Sequence, residues 1–383
     1  MAKKVFIAYP SQPPDIGQTI ERMAAEARQT DANIEIQTWR REDLGGQALT
    51  APIIAAMEES DVVVADITGF NFNVIYELGY AVGIGKRVLP VRYCAISADL
   101  EKANEIGILD TLIHEQYSNS YQLYELISKA QTGSRIATDF PPDDHPLYLI
   151  TPEHRTDDIS QIFVLARKAG LRERSFDPSE QPRLGASQAV RSVATSSGVV
   201  LPLLGSTMAG AESHNIRVAF VAGVAHGLQK PTLILKKGGW PAPLDIRDET
   251  VSYDTDAQLR TAFQEFAPRV HDARFSAPPK PPGKNNRLAI LNLGDPAAEN
   301  EEGQLADYFL ERDEFRRVLN GDANVVVGRK GSGKTAVFMQ VRDRLRASRS
   351  NVVLDLNPEA YQLRKLKDLV LKCLAEGTRE ALL

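Results

Sequence analysis

The sequence predicts an α/β chain: two tandem parallel-sheet domains with helices on both faces, followed by a partial phosphate-loop domain. Three observations carry the prediction. Short apolar runs alternate with helix-spaced segments over residues 1–135 of the 383. The same order of blocks recurs once further along. Near the C-terminal end stands Gly328-x4-Gly333-Lys334-Thr335, a full GxxxxGK[ST] motif.

The first unit opens with KVFIAYP, a strand over Val5–Ala8. A helix follows over Gly17–Arg28, where Ile20, Met23, Ala24 and Ala27 recur at helical spacing. A strand at Ile34–Thr38 leads through Gly45 and Gly46 into a helix, Leu49–Glu58. The apolar run Val62–Ala65 reads as a buried strand that ends at Asp66. The loop after it holds Gly69, Asn71 and Asn73, and the next helix carries Glu77 in its first turns. Arg87–Val91 forms the following strand, and a helix around Tyr121–Ala130 closes the unit. This alternation implies a parallel sheet built from right-handed crossovers. Open sheets of that kind bind ligands outside the carboxyl ends of their strands. Asp66, Asn73 and Glu77 fall at that edge.

The second unit, residues 145–275, reads as a copy of the first. Lys4–Pro10 aligns with Pro146–Pro152, Ser60–Asp66 with Ser197–Leu203, and Asn73–Val91 with Ile216–Leu235. Gly83 and Lys86 fall opposite Gly227 and Lys230 at a constant offset. The copy has lost the polar residues: Val221 stands opposite Glu77, Leu203 opposite Asp66 and Thr151 opposite Tyr9. It is therefore expected to be a structural, regulatory or dimerising partner. The competing reading is two unrelated α/β domains with similar strand patterns. A proline-rich stretch, residues 276–286, then forms a semi-rigid linker.

Residues 287–383 read as a P-loop NTPase domain, incomplete in length. A strand at Asn324–Val327 is expected before the loop and a helix from Thr335 after it. Gly328, Gly331 and Gly333 would turn backbone N–H groups towards ATP phosphates. Lys334 would reach the β- and γ-phosphates, and the Thr335 hydroxyl would ligate Mg²⁺. The segment offers a single later strand, Val352–Leu356, where a full parallel-sheet core needs more.

Composition sets further limits. A net charge of −5 gives no sign of a dedicated nucleic-acid coat. The two cysteines, Cys94 and Cys373, lie far apart, which fits a reducing cytoplasm rather than a disulfide framework. No run of 18 apolar residues is present, and the N-terminus lacks the apolar region of a signal peptide, so no membrane association is expected. The six histidines show no metal-binding spacing.

The residues of the first unit allow two readings each. Glu77 suits a carboxylate set against a ribose C1′, where it shares the positive charge of an oxocarbenium-like state or forms an ester. It equally suits a helix N-terminal acid. Asp66 and Asn73 would bind sugar hydroxyls, or cap and turn the backbone. Asn71 shares that ambiguity. Tyr9 and Trp39 would stack on a base, or fill the core and its rim. Ser11 and Asp15, on the first loop, would meet a phosphate or ribose.

DVVVADITGFNFNVIYELGYAVGIGKRVLPV resembles the nucleoside 2-deoxyribosyltransferase-like group, with its strand ending in D-[IVL]-T and then N-x-N-V-x-x-E-L-G. KVFIAYPSQ resembles the opening strand of TIR domains. The likeness spans residues 3–130, with its specificity in 60–91. It implies a flavodoxin-like sheet and cleavage of an N-glycosidic bond, with Glu77 in the place of the catalytic glutamate and Asp66 and Asn73 shaping the sugar pocket. The loop before Glu77 is short, which favours hydrolysis over base exchange. Fusions of such domains to P-loop ATPases resemble bacterial anti-phage effectors. The expectation is thus a cytoplasmic hydrolase of NAD⁺ or a related nucleotide, regulated by ATP at the P-loop. It would be homo-oligomeric and able to work with a defence-system partner. The alternatives are a nucleotide-sensing module without catalysis, an assembly scaffold, and a deoxyribosyltransferase.

Overall fold

The computed structural model describes residues 2–39, 50–97, 99–130, 136–140, 147–153, 156–179, 181–276, 309–323, 325–327 and 332–346. The chain divides into two units, Met1–Pro278 and Pro279–Leu383. Most of the linker, residues 277–286, lies outside the described residues, as does the strand expected at Val352–Leu356.

The larger unit contains two five-stranded sheets, parallel throughout. The first is built from β1 (Lys3–Ala8), α1 (Pro14–Thr30), β2 (Ile34–Thr38), α2 (Thr50–Glu59), β3 (Val62–Asp66), α3 (Phe72–Gly83) and β4 (Arg87–Tyr93). It continues with α4 (Leu100–Ile106), α5 (Ile108–Thr111), β5 (Glu115–Tyr117) and α6 (Ser120–Lys129). Its strand order is β2-β1-β3-β4-β5. The second contains β6 (Leu147–Ile150), α7 (Asp157–Lys168), β7 (Glu173–Phe176), α8 (Ala186–Thr195), β8 (Gly198–Leu203) and α9 (Ala211–Gly227). It ends with β9 (Thr232–Lys237), a 3₁₀ turn (Leu244–Glu249), β10 (Thr250–Tyr253) and α10 (Asp256–Ser276). Its order, β10-β9-β8-β6-β7, is the first sheet's order written in the second unit's strands. Both therefore have the 2-1-3-4-5 winding of flavodoxin-like sheets, with a switch point at the first and third strands.

Side-chain parity splits the first sheet into two layers. Val62 and Val64 face α1 and α6, in a cluster with Ile16, Ile20, Tyr117 and Leu123. Val63 and Ala65 face α3, in a larger cluster that crosses into the second copy through Phe220, Val221 and Val224. The two copies thus share one core layer, with α3 laid against α9.

Glycine makes that crossing possible. A Cβ on Gly79 would stand 2.2 Å from the Phe220 carbonyl oxygen, and one on Gly223 would stand 2.1 Å from that of Tyr76. Gly83 and Gly227 meet the same way: a Cβ on either would lie 2.9 Å from the other's Cα. The contacts are reciprocal, as in an isologous dimer interface, and small residues let the two backbones touch. The surrounding connections repeat the symmetry. Helix α4 of the first copy packs on α9 and α5 on α8, while the Leu244–Glu249 turn of the second packs on α3. Buried Arg217 on α9 ties the copies together, donating to the Ile106 carbonyl at 3.1 Å and to that of Glu105 at the end of α4.

In the smaller unit the helices Asp313–Leu319 and Lys334–Arg346 are described. The second begins at the phosphate loop, one residue before the expected start. The strand expected before it is not formed over residues 325–327, and Val325 and Val327 are exposed. An apolar run reads as a strand from sequence, but it needs paired neighbours to become one.

Candidate functional site

The predicted residues separate according to the face of the sheet they occupy. Asp66 ends β3 on the α1/α6 side and is fully buried. Its carboxylate accepts from the Tyr117 hydroxyl at 2.6 Å and from the Thr68 backbone N–H at 3.0 Å. Burial pushes this carboxyl up, while the bonds from Tyr117 and Thr68 and the charge of Arg92 pull the other way. The bond to the N–H two residues on is an Asx-turn, so Asp66 shapes the loop. Asn71 is the N-cap of α3: its side chain accepts from the N–H groups of Asn73 and Val74 at 3.0 and 3.3 Å.

Asn73 and Glu77 sit one turn apart on α3, on the same face and in the other layer from Asp66. Asn73 is half-buried, and Glu77 is only 6% exposed. The residue facing Glu77 comes from the second copy. Asp245, in the turn that covers α3, is the charge that raises the Glu77 carboxyl further after burial has already raised it well above the usual range. Burial pushes the Asp245 carboxyl up to about 6, and its Oδ2 is inaccessible without a hydrogen-bond partner among the described residues. Two carboxyls brought together in a dry place cannot both ionise, and they titrate as a pair that keeps a proton.

Beside this pair runs a chain of polar contacts across the interface. The Tyr76 hydroxyl is 2.9 Å from His226 Nδ1, and His226 Nε2 lies 3.0 Å from a Glu249 carboxylate oxygen. His226 holds the Glu249 carboxyl below its ordinary value. Asp245 and Glu249 belong to one 3₁₀ turn, so a displacement of that turn moves both. On its outer side the turn lends Arg247 to an open cleft of about 440 Å³, which Lys236 and Trp240 also line.

The remaining predicted residues do not converge on Glu77. Tyr9 is 3% exposed, gives its hydroxyl to Glu21 and lies with its ring centroid 5.6 Å from that of Trp39. Trp39 donates through Nε1 to the Tyr9 carbonyl at 3.2 Å. The core-and-rim reading describes both. Ser11 and Asp15 are exposed on the β1–α1 loop. At the phosphate loop, Gly328 and Gly331 lie outside the described residues. Gly333 takes a φ of +82°, a conformation that favours glycine, and Lys334 and Thr335 open the helix behind it.

Sequence reasoning missed Asp245, His226 and Arg92. The first two come to α3 only through the packing of the copies, so no local motif announces them. Arg92 had a weak signal: a charged residue at the carboxyl end of an apolar strand.

No family model matches the chain. Over 72 residues it is 34% identical to a putative transposon gamma-delta 80.3 kDa protein of Escherichia coli (strain K12), a match covering 18% of this chain. The aligned part is 10% of that protein's length. Among the described residues, no helix is long and apolar enough to cross a membrane. The fold is that of an α/β protein with two parallel sheets.

Proposed function

We propose that the first copy cleaves the ribosyl–base bond of NAD⁺ or a related nucleotide, by hydrolysis, at Glu77. The observation that supports this most is the burial of Glu77 on α3 where the Leu244–Glu249 turn, which carries Asp245, packs on that helix. A buried carboxylate costs several kcal/mol, and stability alone would place a cation or an apolar residue there. Neither carboxyl has a salt-bridge partner among the described residues. The pair supplies one negative charge and one proton in a dry site. The charge stabilises the oxocarbenium-like sugar, and the proton serves a leaving base that needs one. Asn73, one turn away, is placed to hold a ribose hydroxyl.

In the same proposal ATP with Mg²⁺ is held at the phosphate loop by Lys334 and Thr335 and regulates the first copy, in a setting of defence against phage. Incubation of the full chain with NAD⁺ and a panel of nucleotides, read by mass spectrometry, tests the chemistry. Glu77→Gln is expected to lower base release by about 10² or more, the scale of a lost acid–base group. Undiminished release would remove Glu77 from the reaction.

The burial of Glu77 favours a second reading, in which the first copy binds a nucleotide without cleaving it. Tight binding, with every ligand recovered intact after long incubation, would establish that reading instead.

A further inference from the structure

Arg92 lies at the carboxyl end of β4, beside the end of β3, where Val91 pairs in register with Asp66. Its parity puts it in the α3 layer, with Val88 and Phe70 and on the Glu77 side of the sheet. The side chain is only 6% exposed. Its Nε and Nη2 atoms are inaccessible and have no hydrogen-bond partner among the described residues. These two nitrogens form the edge of a guanidinium that grips two oxygens of one anion. An arginine stays charged when buried, so an edge without a hydrogen-bond partner carries a desolvation cost. Asp66 attracts the guanidinium, but its two oxygens are committed to Tyr117 and Thr68.

The loop beneath is shaped around Arg92. The guanidinium sits 5.5 Å from the centroid of the Phe70 ring. Phe70 has a φ of +48°, a left-handed conformation that costs a bulky residue free energy. Asn71 then caps α3, whose N-terminus favours negative charge. From Phe72 to Glu77 the helix rises about 7.5 Å, within reach of one ribose carrying a 5′-phosphate.

We propose that Arg92, over Phe70 and the start of α3, binds the 5′-phosphate of the nucleotide whose glycosidic bond faces Glu77. The substrate class is a 5′-phosphorylated ribosyl N-glycoside, and unphosphorylated nucleosides are refused. The assignment of the glycosidic bond rests on the reading of Glu77 above; the anion site has its own test.

That test is calorimetric binding of ribose 5-phosphate, ribose and inorganic phosphate to the full chain. Ribose 5-phosphate is expected to bind at least 10-fold more tightly than ribose, with inorganic phosphate competing. Arg92→Gln is expected to remove that preference, and Arg92→Lys to recover only part of it because lysine lacks the fork. Broadening of the ³¹P resonance of ribose 5-phosphate by the wild-type chain repeats the test without any variant. Equal binding of ribose and ribose 5-phosphate, or an unaltered preference in a folded Arg92→Gln chain, would overturn the proposal. The two readings fail separately. Phosphate-selective binding without cleavage sinks the hydrolase alone, while cleavage indifferent to the 5′-phosphate and to Arg92 sinks the subsite alone.

Discussion

At the scale of single residues, the Glu77–Asp245 pair makes a prediction independent of any substrate. Both carboxyls are raised in the folded chain, so their protonated forms belong to the native state. The linkage has a definite sign. Below about pH 4, where unfolded carboxylates are also protonated, their contribution is fully present. It is lost as pH rises through the value of about 6 at which Asp245 ionises. Unfolding measured between pH 4.5 and 8 is expected to show a loss on the order of 2 kcal/mol. Asp245→Asn, which keeps the shape without the charge, is expected to reduce the slope, leaving the part that the burial of Glu77 itself produces; an unchanged slope would dissociate Asp245 from it. Tyr9 and Asp66 teach the opposite lesson. Each stands where a strand-end functional group belongs, yet Tyr9 is satisfied by Glu21 and Asp66 by Tyr117 and Thr68. A sequence shows the type and place of a polar residue, but not whether its hydrogen bonds are already filled.

At the scale of elements, the α3–α9 crossing is the sharpest prediction. Gly79→Ala or Gly223→Ala drives a methyl into a carbonyl oxygen, and overpacking of this kind costs about 1–3 kcal/mol. Gly69→Ala, with nothing within 4 Å of its Cβ, is the control and is expected to shift the melting temperature little. Equal melting of all three chains would mean that the helices do not touch there. The strands and helices that define the first sheet were legible because each is an apolar run or an apolar face. Sequence placed β2 at Ile34–Thr38, and the structure has it at the same residues. Three of the four edge strands were not legible, β2 being the exception. Glu115–Tyr117, Glu173–Phe176 and Thr250–Tyr253 are short and half polar, and each exists because a more apolar neighbour offers it a ladder. Residues 325–327 fail for the converse reason: they are apolar enough for a strand, but no paired neighbour is described for them. Asp245 belongs to the same illegible class, since a turn from one copy meets a helix of the other only after both sheets have formed.

At the scale of the larger unit, the duplicated topology predicts mutual dependence. Residues 1–145 expressed alone would leave the glycine face of α3 and the apolar layer around Tyr76, Leu78 and Val82 uncovered. That fragment is expected to self-associate or precipitate. Co-expression with residues 146–276 is expected to restore a soluble one-to-one complex, visible by size-exclusion chromatography with light scattering. A fragment that stays monomeric and melts like the whole would contradict a shared core. Joining the copies in one polypeptide also changes how the neighbourhood of Glu77 is assembled. Were the halves separate chains, dilution would part Asp245 from Glu77. Tethered, they meet at an effective concentration fixed by the connecting segment. The pairing then persists in a cell that makes only a few molecules of the protein, and each molecule carries a single Glu77 facing a single Asp245.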